Sequence, residues 1–143
     1  MKLLKRISST ILMSALVSAM FWGMTAFASM PMKLTPRATG QDQGTNASLE
    51  VSCSTDSISV KFTNKTSSSH YCEVIGYLKD YKGNEFPESD ALFASGNVNG
   101  GKSISDAKQR TDVYTISASG SIYKGASATT GMLEHLDLVV GRR

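Results

Sequence analysis

Apolar and polar residues alternate strictly in several parts of this chain, beginning at Ala47. Within 47–53 every second residue is apolar, and serine or glutamate lies between. The pattern returns in 57–63 with Ile58, Val60 and Phe62. Successive side chains of a strand point to opposite faces, so each segment predicts an amphipathic strand. The turn-like residues between the two segments predict a hairpin.

The next segments carry weaker or different patterns. Residues 70–79 are apolar on both faces, which predicts a central strand covered on both sides. Weak strands are predicted around 92–94 and 103–105, on either side of a Gly/Asn-rich stretch at 96–101. That stretch predicts a hairpin turn.

The C-terminal part predicts two more strands. Residues 112–124 alternate again, and the outer face of this strand consists of hydroxyl side chains. These are Thr115, Ser117, Ser119 and Ser121. In 132–140 helical and strand patterns compete, and Leu136, Leu138 and Val140 favour a strand.

Six or seven short strands without a helical period predict an all-β fold. We expect a small antiparallel β-sandwich over 47–143, with an immunoglobulin-like arrangement as one possible form and a small barrel as the alternative. Residues 29–46 contain two prolines and two glycines and have no apolar period, so they predict a flexible arm.

The N-terminus predicts a helical signal peptide over 1–28. Lys2, Lys5 and Arg6 precede a mainly apolar stretch, and Ala26-Phe27-Ala28 is a small-x-small cleavage signature. Cleavage is expected between Ala28 and Ser29, and an uncleaved membrane anchor is the alternative. The leader resembles those of Gram-positive bacteria. We therefore expect a secreted protein that meets the membrane only through this segment before cleavage.

The leader also explains the basic composition. The chain has 15 Lys and Arg against 12 Asp and Glu, and three of the cations lie in the leader, which has no acid. The remaining 115 residues carry 12 of each sign and are formally neutral. Such a chain has no overall field to attract nucleic acid, so no nucleic-acid partner is expected.

Cys53 and Cys72 are the two cysteines of the chain. An exported protein meets an oxidising environment, which predicts a disulfide between them. A plain meander of the predicted strands would instead place the two residues too far apart for a bond. Either the loop after residue 63 crosses to a second sheet with a shifted register, or the thiols are free.

Several motifs resemble functional sites without the context that such sites need. Residues 96–103 match G-x-x-x-x-G-K-[ST], but the following residues continue a strand pattern where a P-loop requires a helix. The acidic residues Glu85, Glu88 and Asp90 follow no known ligand spacing and predict a solvated loop. We expect no cofactor and no metal.

Catalysis has one candidate pair. His70 and Cys72 share a face of the predicted strand, which permits a thiol–imidazole pair. A surface histidine beside a structural cysteine is the simpler interpretation, and there is no G-x-S-x-G motif. We therefore expect a protein that is not an enzyme and has no catalytic residues.

Contact through a surface is the function that fits best. The face of Thr115, Ser117, Ser119 and Ser121 could hydrogen-bond a cell-envelope polymer or meet an extracellular protein, although an ordinary solvated face has the same composition. The leading hypothesis is a secreted, non-catalytic sandwich that acts by such contact. The alternative hypothesis is a small bacteriocin-like effector.

Overall fold

A computed structural model of the chain describes residues 38–141. The predicted signal peptide, its cleavage site at Ala28 and Ser29, and residues 29–37 of the predicted arm lie outside this range. The described residues contain eight strands and two short 3-10 turns, and none of their helices is long and apolar enough to cross a membrane. The strands are Ala38–Gln43 (β1), Ala47–Cys53 (β2), Ser57–Asn64 (β3), His70–Lys79 (β4), Leu92–Val98 (β5), Ser103–Gln109 (β6), Thr115–Tyr123 (β7) and Met132–Gly141 (β8), and the turns are Glu88–Asp90 and Ala128–Thr130.

The strands form two four-stranded sheets in which every neighbouring pair is antiparallel. Sheet A has the order β1-β2-β3-β6, and sheet B has the order β5-β4-β7-β8. This confirms the predicted small β-sandwich and the β2-β3 hairpin. The order β2-β3-β6 opposite β4-β7-β8 corresponds to the Greek-key arrangement of immunoglobulin-like sandwiches. β1 and β5 are additional edge strands.

The core lies between the inner faces of the two sheets. Its largest fully buried side chains include Phe62, Leu49, Ile58, Leu78 and Leu92. These residues occupy the apolar positions of the alternating segments, because a strand that covers a core on one face buries every second residue. Gly120 of β7 lies against the ring of Phe62, and a Cβ at this position would collide with the ring. The core thus requires a glycine in the middle of a strand.

The structure differs from the sequence prediction within the predicted arm of residues 29–46. Residues 38–43 form β1, which pairs with β2 from Ala38–Cys53 to Gln43–Ser48. No large apolar residue marks this strand. Gly40 instead faces sheet B so closely that a Cβ there would lie 2.5 Å from Cγ2 of Val140. An edge strand held by its hydrogen-bond ladder and a close backbone approach leaves no alternation to detect.

The Gly/Asn-rich stretch is also used differently from the prediction. It joins β5 to β6, but these strands belong to different sheets, so the connection crosses the sandwich and is not a hairpin. Two inward-pointing charged residues of β6 bind the backbone across this gap. The Asp106 carboxylate accepts the Phe93 N–H at 2.9 Å, and the Lys108 ammonium donates to the carbonyls of Asp90 and Ala91.

A third difference concerns β4. The strand is central in sheet B, as predicted, but only its inner face is covered. On the outer face Ile75 is half-buried and Tyr77 is exposed. The apolar character of both faces therefore marks a strand with an open apolar side.

Two polar side chains connect separate parts of the sandwich. The Glu134 carboxylate on β8 accepts the backbone N–H groups of Thr45, Asn46 and Ala47 at 2.8–2.9 Å. The buried Asn64 amide at the end of β3 donates to the carbonyls of Ser68 and Val98. Both groups satisfy backbone atoms that the strand ladders leave without partners.

Candidate contact surface

The predicted hydroxyl face lies on the outer side of sheet B, between two rows of larger side chains. β7 pairs with β4 on one side and with β8 on the other, so each hydroxyl is the middle of a three-residue rung. The rungs are Glu73-Ser121-His135, Ile75-Ser119-Asp137, Tyr77-Ser117-Val139 and Lys79-Thr115-Gly141. The hydroxyl row is therefore the floor of a mixed surface, which also carries apolar and charged groups.

Large apolar side chains are exposed on this surface. Phe93 of β5, which is paired with Ile75, is 55% exposed, and Tyr77 and Val139 are 43% and 67% exposed. The outward positions in the described strands of sheet A carry no aromatic residue. An exposed large apolar patch is the informative exception on a protein surface. The two outer sides of the sandwich are thus chemically different.

A shallow depression of about 270 Å³ lies at the middle of this surface. Glu73, Ile75, Phe93, Ser119 and Ser121 are among its lining residues. A larger depression of about 440 Å³ on the outer side of sheet A is lined by polar residues such as Glu50 and Lys61, which form an ion pair at 3.3 Å. The smaller depression alone combines an aromatic ring with hydroxyls and a carboxylate.

Two tyrosines adjoin the depression, one near the start of β4 and one at the end of β7. The rings of Tyr71 and Tyr123 lie 6.0 Å apart, and the Tyr123 hydroxyl donates to the Glu73 carboxylate at 3.1 Å. Partial burial, followed by the hydrogen bond to Glu73, raises the pKa of Tyr123. The phenol therefore stays protonated and holds the carboxylate in place.

His135 links two hydroxyls to a carboxylate. Its Nδ1 lies 2.8 Å from Ser121 Oγ, and its Nε2 lies 3.3 Å from Ser119 Oγ and 3.2 Å from Asp137 Oδ1. This contains the Ser-His-Asp order of a hydrolase relay. Acyl transfer also needs hydrogen-bond donors for an oxyanion, and β7 is paired on both sides, so the strand ladders occupy its own backbone N–H groups. The geometry can hold hydroxyls in fixed orientations.

The predicted disulfide is absent. No bond joins Cys53 to Cys72, and both residues are fully buried. The Cys53 thiol donates to the carbonyl of Val113, just before β7, whereas Cys72 pairs with Ile122 near the far end of β7. At about 3.3 Å per residue the nine positions from Val113 to Ile122 span on the order of 30 Å, well beyond the limit of about 7 Å between bridged Cα atoms.

The His70–Cys72 pair does not form a nucleophilic site in this structure. His70 Nδ1 lies 2.8 Å from the Tyr123 carbonyl, and the Cys72 thiol donates to the carbonyl of His70. Burial raises the pKa of Cys72 to about 11, whereas an activated cysteine has a lowered pKa. The thiol is therefore protonated and inaccessible at neutral pH.

The other motifs lie in structural positions. Ser103, the last residue of the P-loop match, begins strand β6, so no helix follows the glycines. In the acidic loop, Glu85 pairs with Lys79 and Asp90 pairs with Arg110, while Glu88 is exposed in a 3-10 turn. Residues 38–141 contain no group of three or more His, Cys, Asp or Glu residues that could hold a metal ion.

Comparisons with known proteins add little. No family model and no curated protein matches the sequence. Two solved structures of Bacteroides uniformis β-glucuronidase, one of them β-glucuronidase 2 covalently bound to cyclophellitol-6-carboxylate aziridine, are similar at 11% identity with TM-scores of 0.38 and 0.37. Each alignment covers 76% of this chain and 13% of the glucuronidase chain. A likeness at this level carries no argument about function.

Sequence reasoning found the hydroxyl row but missed its neighbours. Phe93, Glu73 and Asp137 come from three other strands, and their place beside β7 depends on pairing register. The apolar outer face of the segment 70–79 was a usable signal, because a strand with two apolar faces has either a covering layer or an open apolar side.

Proposed function

We propose that this protein is an exported, non-catalytic β-sandwich that acts by contact with the cell envelope or with a protein partner, through the outer side of sheet B. One observation carries the proposal: exposed aromatic and aliphatic side chains lie on this side, while the outer side of sheet A is polar. Contact sites are typically rich in aromatic residues within a polar surround. The sequence of the leader, with its cleavage signature at Ala28, supports export.

Retention experiments test the contact surface. The full chain is expressed with its leader, purified from the medium, and incubated with isolated cell walls, membranes and secreted protein extract. The variant pair Phe93→Ser and Tyr77→Ser removes both exposed rings from the surface. Tyr81→Ser is the matched control, because Tyr81 is 59% exposed in the turn after β4 and lies outside the surface.

We expect at least one fraction to retain the wild-type protein and the control but to release the double variant. Far-ultraviolet circular dichroism of each variant checks that the sandwich is intact. If no fraction retains the wild type, or if the double variant is retained equally, the proposal is wrong. The mass of the secreted protein tests export, since cleavage before Ser29 leaves a chain that begins there.

A further inference from the structure

We infer that the outer side of sheet B binds an uncharged polysaccharide chain. This inference rests on the proposed function and names the ligand of the same surface. Three properties of the surface around Glu73, Phe93 and Ser121 lead to it: exposed rings, positioned hydroxyls, and a carboxylate that forms no ion pair among the described residues.

The exposed rings supply the apolar part of the site. Phe93 on β5 is paired with Ile75 on β4, and Tyr77 lies two residues further along β4. The Phe93 and Tyr77 side chains are therefore diagonal neighbours, and both point outward. Cross-strand neighbours in such positions are within reach of one ligand. A sugar ring presents an apolar C–H face bordered by hydroxyls, so it can cover an aromatic ring while its hydroxyls reach polar groups beside it.

The polar groups beside the rings are already oriented. Ser119 and Ser121 are held by His135, and Glu73 is held by the Tyr123 hydroxyl. A carboxylate has about four lone-pair positions, and the Tyr123 contact uses one of them. Glu73 can therefore still accept hydroxyl donors from a ligand in the depression. Oriented groups of this kind reduce the entropy lost on binding.

The charges select the ligand class. Glu73 and Asp137 contribute carboxylates, and Lys79 at the end of the surface is paired with Glu85 at 3.0 Å. An anionic polymer would meet repulsion here. A protein partner would have to bring a cation against the Glu73 carboxylate, because burying this charge unpaired is costly. A neutral sugar chain donates hydroxyl hydrogen bonds to this carboxylate and covers the exposed rings, so it provides partners for the polar and the apolar part of the surface.

Binding to defined glycans tests the inference. The purified protein is titrated by calorimetry with hexasaccharides of cellulose, chitin, mannan and xylan, and with oligogalacturonate as the anionic probe. We expect at least one neutral hexasaccharide to bind and oligogalacturonate not to bind. Phe93→Ala should weaken the affinity about tenfold, as truncating an interface anchor does, and Tyr81→Ala should leave it unchanged.

The result that overturns the inference is equally defined. No binding of any neutral hexasaccharide at about 1 mM, a range that corresponds to weak association, would overturn it, as would equal effects of the two substitutions or preferred binding of oligogalacturonate. If the protein is still retained on envelope or protein fractions through Phe93, the polysaccharide assignment fails and the proposed function stands. If retention is absent as well, both fail.

Discussion

At the scale of single residues, the Cys72 thiol shows how burial excludes chemistry. The side chain is fully buried, and burial raises its pKa to about 11. A thiol in the unfolded chain ionises near pH 8.5. Between about pH 8.5 and pH 11 the folded state therefore keeps the thiol proton that the unfolded state has lost. The resulting stabilisation is fully present below about pH 8.5 and is lost as the pH rises through about 11.

This predicts a pH-dependent difference between the wild type and Cys72→Ala. The variant lacks the thiol, so urea unfolding should show the wild type losing its advantage between about pH 8 and pH 10.5, relative to the variant. At neutral pH, a thiol-reactive probe should label Cys72 only after unfolding. A difference in free energy that does not change with pH, or rapid labelling of the native protein, would contradict the assignment.

At the scale of elements, Glu134 joins the two sheets. Its carboxylate on β8 accepts three consecutive backbone N–H groups, two from the turn between β1 and β2 and one from the first residue of β2. Gly44 lies so close to the same carboxylate that a Cβ there would force the Glu134 side chain to shift. β1 has little apolar burial of its own, so this contact contributes to holding the β1-β2 turn against sheet B.

Replacing this carboxylate should destabilise the sandwich measurably. Glu134→Gln keeps one acceptor oxygen and removes the charge, and we expect a loss of about 2 kcal/mol in the free energy of unfolding, as for hydrogen bonds to charged groups. Glu88→Gln is the matched control, because Glu88 is exposed in a 3-10 turn. Denaturant unfolding measures both variants. Equal midpoints would show that the three hydrogen bonds contribute little.

Local alternation predicted five of the eight strands well. It could not predict strand β1 or the path of the β5-β6 connection, because these depend on pairing between distant parts of the chain. β2, β3, β4 and β7 bury alternate residues over most of their length, and β8 turns Leu136, Leu138 and Val140 toward the core, so their sequences carry the period of a strand. β1 has no apolar row because Gly40 packs by its backbone. The β5-β6 connection resembled a hairpin because its length and glycines are the same whether the chain turns within one sheet or crosses to the other.

The candidate surface was predictable to the same extent. Thr115, Ser117, Ser119 and Ser121 follow from alternation along one strand, whereas Phe93 and Asp137 reach the surface only through the register of β5 and β8. A disulfide was predicted from compartment and cysteine number. Register decides against it, because the two sulfurs lie near opposite ends of the sandwich.

At the scale of the whole molecule, the balance of charge separates two modes of contact. After residue 28 the chain carries 12 cations and 12 acids, so its far field is weak. Contact through sheet B should therefore depend on rings and hydrogen bonds and not on long-range attraction.

This predicts that retention on the envelope fraction changes little with salt. Raising sodium chloride from about 50 to 500 mM shortens the Debye length several-fold, which weakens binding that depends on exposed charges. Pull-down at the two concentrations should retain equal amounts of protein. A steep loss at high salt would indicate an electrostatic patch, and the contact would then have to be sought outside the outer side of sheet B.

The inward-pointing charged residues of β6 affect how readily copies of the protein can associate through their strand edges. Asp106 and Lys108 occupy backbone groups at Phe93, Asp90 and Ala91 that would otherwise remain open beside the gap between the sheets. Charged residues turned inward on a border strand are a known safeguard against fibril growth, because an incoming chain finds no template there. The strand of a second copy would therefore find fewer open backbone partners along this flank.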